Sequence, residues 1–123
     1  MENQFSSVIS MLMDYLDGIY FSDTARLKRV LHPKAHYVSV TDGELLYRTI
    51  PEYIPIVDRR PSPASRNETR RDHIESIEFA GPVTAFVRLR CSLGNKFFTD
   101  LLTLIRDQGR WQIISKVFHY DLI

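Results

Sequence analysis

The sequence predicts an α+β domain in which helices come first and an antiparallel sheet follows. Apolar residues in the first third recur at three- and four-residue spacing, which is typical of amphipathic helices. From Asp72 onward the chain is rich in β-branched and aromatic residues, as strands are. The turn signals Ala80-Gly81-Pro82, Gly94-Asn95 and Gln108-Gly109 separate these later segments. Helices followed by hairpin-connected strands define the α+β class.

The first two helices are predicted from an apolar face and from end signals. The first face runs from Phe5 to Tyr20, and Gly18 weakens its last turn. Ser22 or Asp23 caps a second, shorter helix. The dipeptide His32-Pro33 ends it, because proline disfavours helical geometry at the residue before it.

A hairpin and a third helix follow. Residues His36 to Asp42 alternate like a strand, Asp42-Gly43 is a turn signal, and Glu44 to Arg48 returns. Thr49 and Glu52 have capping-box spacing, which opens a short helix through about Val57. Four more strands are then expected, at about Asp72–Phe79, Val83–Leu93, Phe97–Arg106 and Trp111–Tyr120.

Composition narrows the class of protein. A length of 123 residues suits one domain, spanning 1–123. The 16 basic and 15 acidic residues nearly cancel, so the chain has no overall electrostatic field that would attract nucleic acid or a membrane surface. The single cysteine, Cys91, excludes an internal disulfide and a cysteine-based zinc cluster. The N-terminus lacks signal-peptide character, and no apolar run approaches the roughly 20 residues of a membrane span. We therefore expect a cytoplasmic protein.

Turn lengths predict which side chains share a face of the sheet. A two-residue turn at Gly94-Asn95 pairs Cys91 with Phe98 and Leu89 with Asp100. The turn between Asp107 and Arg110 pairs Arg106 with Trp111, Leu104 with Ile113, Leu102 with Ser115, and Asp100 with Val117. One face is then apolar except for Asp100, Ser115 and His119. Burying polar groups without hydrogen-bond partners costs free energy. These three residues therefore indicate a binding or catalytic site on this face.

The opposite face mixes polar and apolar residues. It carries Arg88, Arg90, Thr99, Thr103, Gln112 and Lys116 together with Phe86, Leu101, Ile105, Ile114 and Phe118. A partly wet homodimer interface explains this mixture, although a single twisted sheet with scattered exposed apolar residues is the alternative. A one-residue slip at Gly94-Asn95 would move Arg88 and Arg90 onto the face that carries Asp100.

The chain resembles the nuclear transport factor 2-like superfamily, which includes ketosteroid isomerase, scytalone dehydratase and SnoaL-type cyclases, and within it the lumazine-binding subgroup. The resemblance lies in Tyr-x-x-Gly-x-Tyr from Tyr15 to Tyr20, His-Pro-x-Ala from His32, and the run from Thr99-Asp100 through Gly-Arg-Trp-x-Ile to Lys-Val-Phe-His119. It implies a cone-like curved antiparallel sheet packed against three N-terminal helices, a cystatin-like α+β roll with a dead-end cavity.

In enzymes of this superfamily a carboxylate or histidine in the cone transfers a proton, and a tyrosine or acid stabilises an oxyanion. On this resemblance Asp100 is the candidate general base and His119 its candidate partner. The alternative for Asp100 is a structural carboxylate tied to a tyrosine of the first helix. Candidate ligand contacts are Tyr15, Tyr20, Tyr37, Leu89, Phe98, Leu102, Trp111 and Ser115.

Other chemistry has less support in the sequence. His32, His36 and His73 lie in separate elements without ligand spacing, so we expect no metal and no cofactor. Cys91 fits a small buried residue better than a nucleophile. The arginine-rich segment Arg59–Arg71 is either a solvated loop or a lid that attracts an anion, and it lacks the interleaved aromatic residues of a nucleic-acid surface.

Three functions therefore remain open. The first is a homodimer, paired through the outer sheet face, that binds an apolar or cyclic small molecule in each cone. The second is an isomerase, dehydratase or cyclase that uses Asp100 as its base. The third is a protein-interaction module whose cavity is filled by its own side chains.

Overall fold

Three helices pack against one six-stranded sheet in the computed structural model, which describes residues 3–123. The helices are α1 (Gln4–Phe21), α2 (Thr24–Val30) and α3 (Ile50–Arg59). The strands are β1 (Leu31–Ser39), β2 (Leu46–Thr49), β3 (His73–Phe79), β4 (Thr84–Leu93), β5 (Lys96–Asp107) and β6 (Arg110–Leu122). The predicted α+β class and element order are confirmed.

The strand order is β2-β1-β6-β5-β4-β3. Neighbouring strands are antiparallel with one exception, since β1 and β6 run parallel. Parallel neighbours need a long crossover connection, and here most of the chain lies between these two strands. Turn residues predict pairing only between strands that are adjacent in sequence, so they do not predict the pairing of β1 with β6.

Local signals set the helix ends as expected. The Asp23 carboxylate accepts a hydrogen bond from the Arg26 N–H at 3.1 Å and so caps α2. The Glu52 carboxylate accepts from the Thr49 N–H at 2.9 Å at the start of α3. Gly18 lets α2 approach α1, because a Cβ there would lie 2.7 Å from the Leu27 side chain.

The core lies between the helices and the concave face of the sheet. Its fully buried members include Val8 and Leu12 of α1, Val57 of α3, and Leu102 and Leu104 of β5. The predicted pairings across Gly94-Asn95 are confirmed, including Cys91 with Phe98 and Leu89 with Asp100. No helix in residues 3–123 is long and apolar enough to cross a membrane.

The pairing of β5 with β6 departs from prediction halfway along. Arg106 pairs with Trp111 and Leu104 with Ile113, as expected, but the register then shifts and Thr103 pairs with Ser115. Ile114 is the extra residue of a β-bulge. Leu104 and Thr103 are consecutive on β5, but their partners Ile113 and Ser115 are separated by Ile114 on β6. Every later side chain of β6 therefore changes face, and the predicted pairs of Leu102 with Ser115 and Asp100 with Val117 are wrong.

The arginine-rich segment is docked onto the domain. It includes a short 3₁₀ helix, Ala64–Arg66, beside a fully buried Pro63. The Tyr20 hydroxyl donates to the Glu68 carbonyl at 2.8 Å, and the Glu68 carboxylate accepts from the Gly94 N–H at 2.9 Å. The Arg70 guanidinium bonds Asp17 at 2.8 Å. These contacts tie the segment to α1 and to the β4–β5 turn.

Candidate ligand-binding site

A buried ion pair lies deep on the concave face. Asp100 of β5 is completely buried, and its Oδ2 accepts a hydrogen bond from the Tyr15 hydroxyl of α1 at 2.9 Å. The Lys116 Nζ of β6 lies 3.7 Å from the same oxygen. The Oδ1 of Asp100 is also buried and has no hydrogen-bond partner in residues 3–123. The bond to Tyr15 joins α1 to the sheet, which is the structural alternative considered for this carboxylate.

Aromatic rings surround the Lys116 ammonium. Its Nζ lies 4.9 Å from the ring centre of Tyr37 and 5.4 Å from those of Tyr15 and Phe118, within the range of cation–π attraction. Burial, the largest influence, lowers the pKa of Lys116, but the charges of Asp100 and of the nearby Tyr53, Tyr37 and Cys91 together outweigh it, and the pKa is raised above its usual value. Lys116 is therefore a permanent cation at neutral pH.

The same environment keeps neighbouring acids protonated. Burial, and then the charge of Asp100, raise the pKa of the Tyr15 phenol well above its usual value. Burial and Asp100 likewise raise the pKa of the Cys91 thiol. A thiol held in this form is a poor nucleophile at neutral pH.

The interior of the cone is largely filled by its own side chains. A cavity of about 20 Å³ remains between helices and sheet, with room for about one water molecule. Its lining consists of Ile19, Tyr37, Tyr53, Arg60, Cys91, Leu93, Phe98 and Lys116. A smaller space of about 10 Å³ lies behind it, against Tyr15, Tyr53 and Lys116. Asp100 borders neither space, so Lys116 is the member of the buried ion pair that faces the cavity.

A second cation reaches the same cavity from the end of α3. Arg60 directly follows that helix, and its Nε is buried without a hydrogen-bond partner in the described chain. No carboxylate of residues 3–123 lies within 4.0 Å of its guanidinium. Buried polar groups normally have partners, so this nitrogen is an unused hydrogen-bond donor beside the cavity.

A larger chamber, which we call the vestibule, lies at the mouth of the cone and shares Tyr37, Arg60, Leu93 and Phe98 with the cavity. It has a volume of about 400 Å³, within the range of small-molecule sites. It is lined by Tyr37, Asp42, Glu44, Leu45, Leu46, Arg48, Arg60, Leu93, Lys96, Phe98, Phe118 and Tyr120. At its rim the Tyr120 hydroxyl donates to the Asp42 carboxylate, and the Lys96 Nζ lies 4.6 Å from the Tyr120 ring centre.

Some predicted site residues meet here and others do not. Tyr15 bonds Asp100, while Tyr37 and Phe98 line both the cavity and the vestibule. Leu89 and Leu102 are fully buried core residues that border neither space. Tyr20 lies outside the cone, with its hydroxyl on the arginine-rich segment and Arg70 against its ring.

The bulge removes two predicted residues from the concave face. His119 is exposed beside Asp121, with its Nε2 3.0 Å from the Asp121 carboxylate, rather than beside Asp100. Ser115 bonds the His36 Nε2 at 2.9 Å instead of pointing into the cone. Trp111 precedes the bulge but borders a different cleft, near the β5–β6 turn. The expected pairing of Asp100 with His119 is therefore wrong.

Several residues of the site were not predicted from the sequence, among them Lys116, Phe118, Tyr53 and Arg60. Lys116 and Phe118 were assigned to the outer face because the bulge was not foreseen. Tyr53 and Arg60 come from α3, whose docking is a tertiary event. One feature of the sequence could have indicated Lys116. It alternates with Phe118 and Tyr120, so a one-residue shift in register places all three on the side of the cone.

The fold and the site together define the class of protein. Three helices on a curved, unclosed six-stranded sheet form the NTF2-like cone. A solved NTF2-like protein of unknown function from Shewanella baltica superposes with a TM-score of 0.86, at 20% identity over 98% of this chain and 95% of that one. A ketosteroid isomerase-like protein from Erwinia carotovora superposes at 0.74, with 10% identity over 98% of each chain. These likenesses confirm the predicted fold.

Sequence comparison defines the family within that class. The family model described as "Putative lumazine-binding" matches residues 3–119, and the chain belongs to that family. A relative named aldolase FrzH, from Cladobotryum sp., is 25% identical over 119 residues, covering 95% of this chain and 91% of its own.

Proposed function

We propose that this protein binds a small cyclic molecule that carries a carboxylate or another oxyanion. The ring would lie in the vestibule and the anionic group would point inward to Arg60 and Lys116. The observation that carries the proposal is the buried Arg60 Nε, which has no partner within residues 3–123 and borders the same cavity as the Lys116 ammonium.

The charges around the inner cavity support an anion. Lys116 and Arg60 supply two positive charges, and Asp100 behind Lys116 supplies one negative charge. The remaining positive charge is partly shielded from water, where an ion pair is stronger than on an open surface. A guanidinium presents a planar pair of donors that matches a carboxylate.

The walls of the vestibule support a ring. Tyr37, Phe98, Phe118 and Tyr120 contribute aromatic surface, and their ring centres lie 4.6 Å apart for Tyr37 and Phe118 and 5.5 Å apart for Phe98 and Tyr120. Aromatic groups add favourable offset or edge contacts to such surfaces. Aromatic walls combined with polar groups that converge on one chamber are common in small-molecule sites.

A matched pair of probes tests the charge requirement. Phenylpyruvate and phenylacetone share a ring and a ketone, but only phenylpyruvate carries a carboxylate, and lumazine adds a bicyclic probe without one. By isothermal titration we expect phenylpyruvate to bind more tightly than phenylacetone. Arg60→Gln should weaken its binding by about tenfold or more, because a charged hydrogen bond contributes about 1.5–3 kcal/mol.

Arg59→Gln is the control, because Arg59 is the neighbouring arginine and is exposed. Equal affinity for phenylpyruvate and phenylacetone, or equal losses in the Arg60 and Arg59 variants, would contradict the anion site. Absence of binding by all three probes would favour the interaction-module alternative.

A second candidate function is an enzyme that forms an enolate, as isomerases, dehydratases and aldolases do. The relative named aldolase FrzH favours it, as does the unpartnered Oδ1 of Asp100. In this reaction Asp100 would take a proton from the carbon next to a carbonyl, and the Lys116 ammonium would stabilise the resulting enolate oxygen. Because Lys116 and Tyr15 lie between Asp100 and the cavity, these side chains would have to move first.

The same samples separate binder from enzyme. In D₂O, proton NMR follows exchange of the methylene protons of phenylpyruvate. An enzyme should accelerate exchange above the buffer rate, and Asp100→Asn should abolish the acceleration. Binding with exchange at the buffer rate would favour the binding protein.

We also propose that the chain forms a homodimer through the outer sheet face. Phe86 of β4 and Val117 of β6 are 41% and 42% exposed there, on the two strands that flank β5 and its partly buried Leu101. Contiguous apolar residues on a sheet face are typical of an interface. By light scattering we expect twice the 14.4 kDa chain mass.

Val117→Lys should move this protein toward monomer, because it places two like charges at the interface. Val83→Lys is the control, since Val83 is 49% exposed next to the turn between β3 and β4. A monomeric wild type, or a dimer unaffected by Val117→Lys, would contradict the proposal.

A further inference from the structure

A second cleft lies at the other end of the strands from the vestibule. It has a volume of about 340 Å³ and is bounded by α1, by the end of α2 and by the β5–β6 turn. Along β5, Phe98 and Arg106 are eight residue steps apart, which corresponds to roughly 26 Å of strand. The cleft is therefore separate from the site described above.

Three arginines from different parts of the chain line this cleft. Arg29 lies in the last turn of α2, Arg106 near the end of β5, and Arg110 at the start of β6. A cation at a helix C-terminus is favoured by the helix dipole, so Arg29 alone needs no ligand. Arg106 and Arg110 lie on strands, where the dipole argument does not apply.

None of these three guanidinium groups has a carboxylate within 4.0 Å in residues 3–123. The nearby acids bond elsewhere. Asp14, which also lines the cleft, lies 3.2 Å from the Arg26 Nη1, and Asp107 lies 3.0 Å from the His32 Nε2. Positive charge is therefore concentrated here in a chain whose formal net charge is only +1.

We infer that this cleft binds a phosphorylated small molecule. Guanidinium groups bind phosphate oxygens through paired hydrogen bonds, and three of them around one cleft suit more than a single charge. The Ser10 hydroxyl of α1 borders the same space and can donate a further hydrogen bond, whereas the Ser7 hydroxyl donates to the Asn3 carbonyl at 3.2 Å. The volume exceeds that of one phosphate group, so a diphosphate or a phosphate ester fits better than the free ion.

The test uses pyrophosphate as the probe, with sulfate for comparison, in isothermal titration at low ionic strength. We expect wild-type protein to bind pyrophosphate more tightly than sulfate. The double variant Arg106→Gln/Arg110→Gln should bind it at least about tenfold more weakly, since two charged donors are removed. The control Lys34→Gln/Arg71→Gln removes the same charge from exposed positions outside the cleft and should leave binding unchanged.

Several results would overturn the inference. Equal losses in the two double variants would show attraction by overall charge only. Equal affinity for sulfate and pyrophosphate would show a generic anion surface. Binding of RNA in the absence of pyrophosphate binding would assign the arginines to a macromolecular partner. The urea midpoints of both variants, measured alongside, would identify a loss of binding that came from unfolding.

Discussion

Replacing Lys116 with methionine should destabilise the fold by about 3–5 kcal/mol, the usual cost of leaving one buried charge without its partner. The Asp100 carboxylate is completely buried, and no other cation of residues 3–123 lies within 4.0 Å of it. Asp100→Asn should have a comparable cost, because it isolates the buried ammonium. The free energy of unfolding from urea denaturation measures both effects.

The double variant Asp100→Asn/Lys116→Met should lose clearly less than the sum of the two single losses. Methionine can pack among the rings of Tyr15, Tyr37 and Phe118, and asparagine can still accept the Tyr15 hydrogen bond. Lys34→Met, at an exposed position, should change stability by less than about 0.5 kcal/mol. Additive losses in the double variant would show that the two residues do not act as a pair.

Stability should fall steeply in alkali. The pKa values of Cys91, Tyr15 and Lys116 are all raised in the folded state. Their unfolded values are about 8.5, 10 and 10.4, so the unfolded chain loses these protons first. The stabilisation is complete below about pH 8.5, and each group then removes up to about 1.4 kcal/mol per pH unit as the pH rises toward its folded pKa.

Urea denaturation between neutral pH and the alkaline range measures this dependence. In Cys91→Ala, the loss of stability should begin at about pH 10 instead of about pH 8.5, because Tyr15 and Lys116 begin to lose their protons in the unfolded chain only near pH 10. A wild-type stability that stays constant well above pH 10 would contradict the assigned protonation states.

Much of the fold was predictable because its signals are local. The apolar face of α1, the Asp23 cap and the turn at Gly94-Asn95 each depend on residues close together in the chain. The register of β4 against β5 follows directly from that turn. The position of Asp100 on the concave face was therefore accessible from sequence.

The composition of the site was only partly predictable. One extra residue, Ile114, exchanged Ser115 and His119 for Lys116 and Phe118 on the concave face. A bulge of this kind depends on how β6 accommodates the curvature of the sheet, and no turn residue marks it. The parallel pairing of β1 with β6 likewise joins segments far apart in sequence.

The sequence by itself determined the order of helices and strands, the apolar concave face and the presence of one carboxylate on it. The tertiary structure alone decided that this carboxylate is paired with Lys116, that Arg60 and Lys116 line one cavity, and that an open chamber lies beside that cavity at the mouth of the cone. The physical reason is that periodicity and turn chemistry act over a few residues, whereas packing of distant elements decides which buried charges meet and how much space remains.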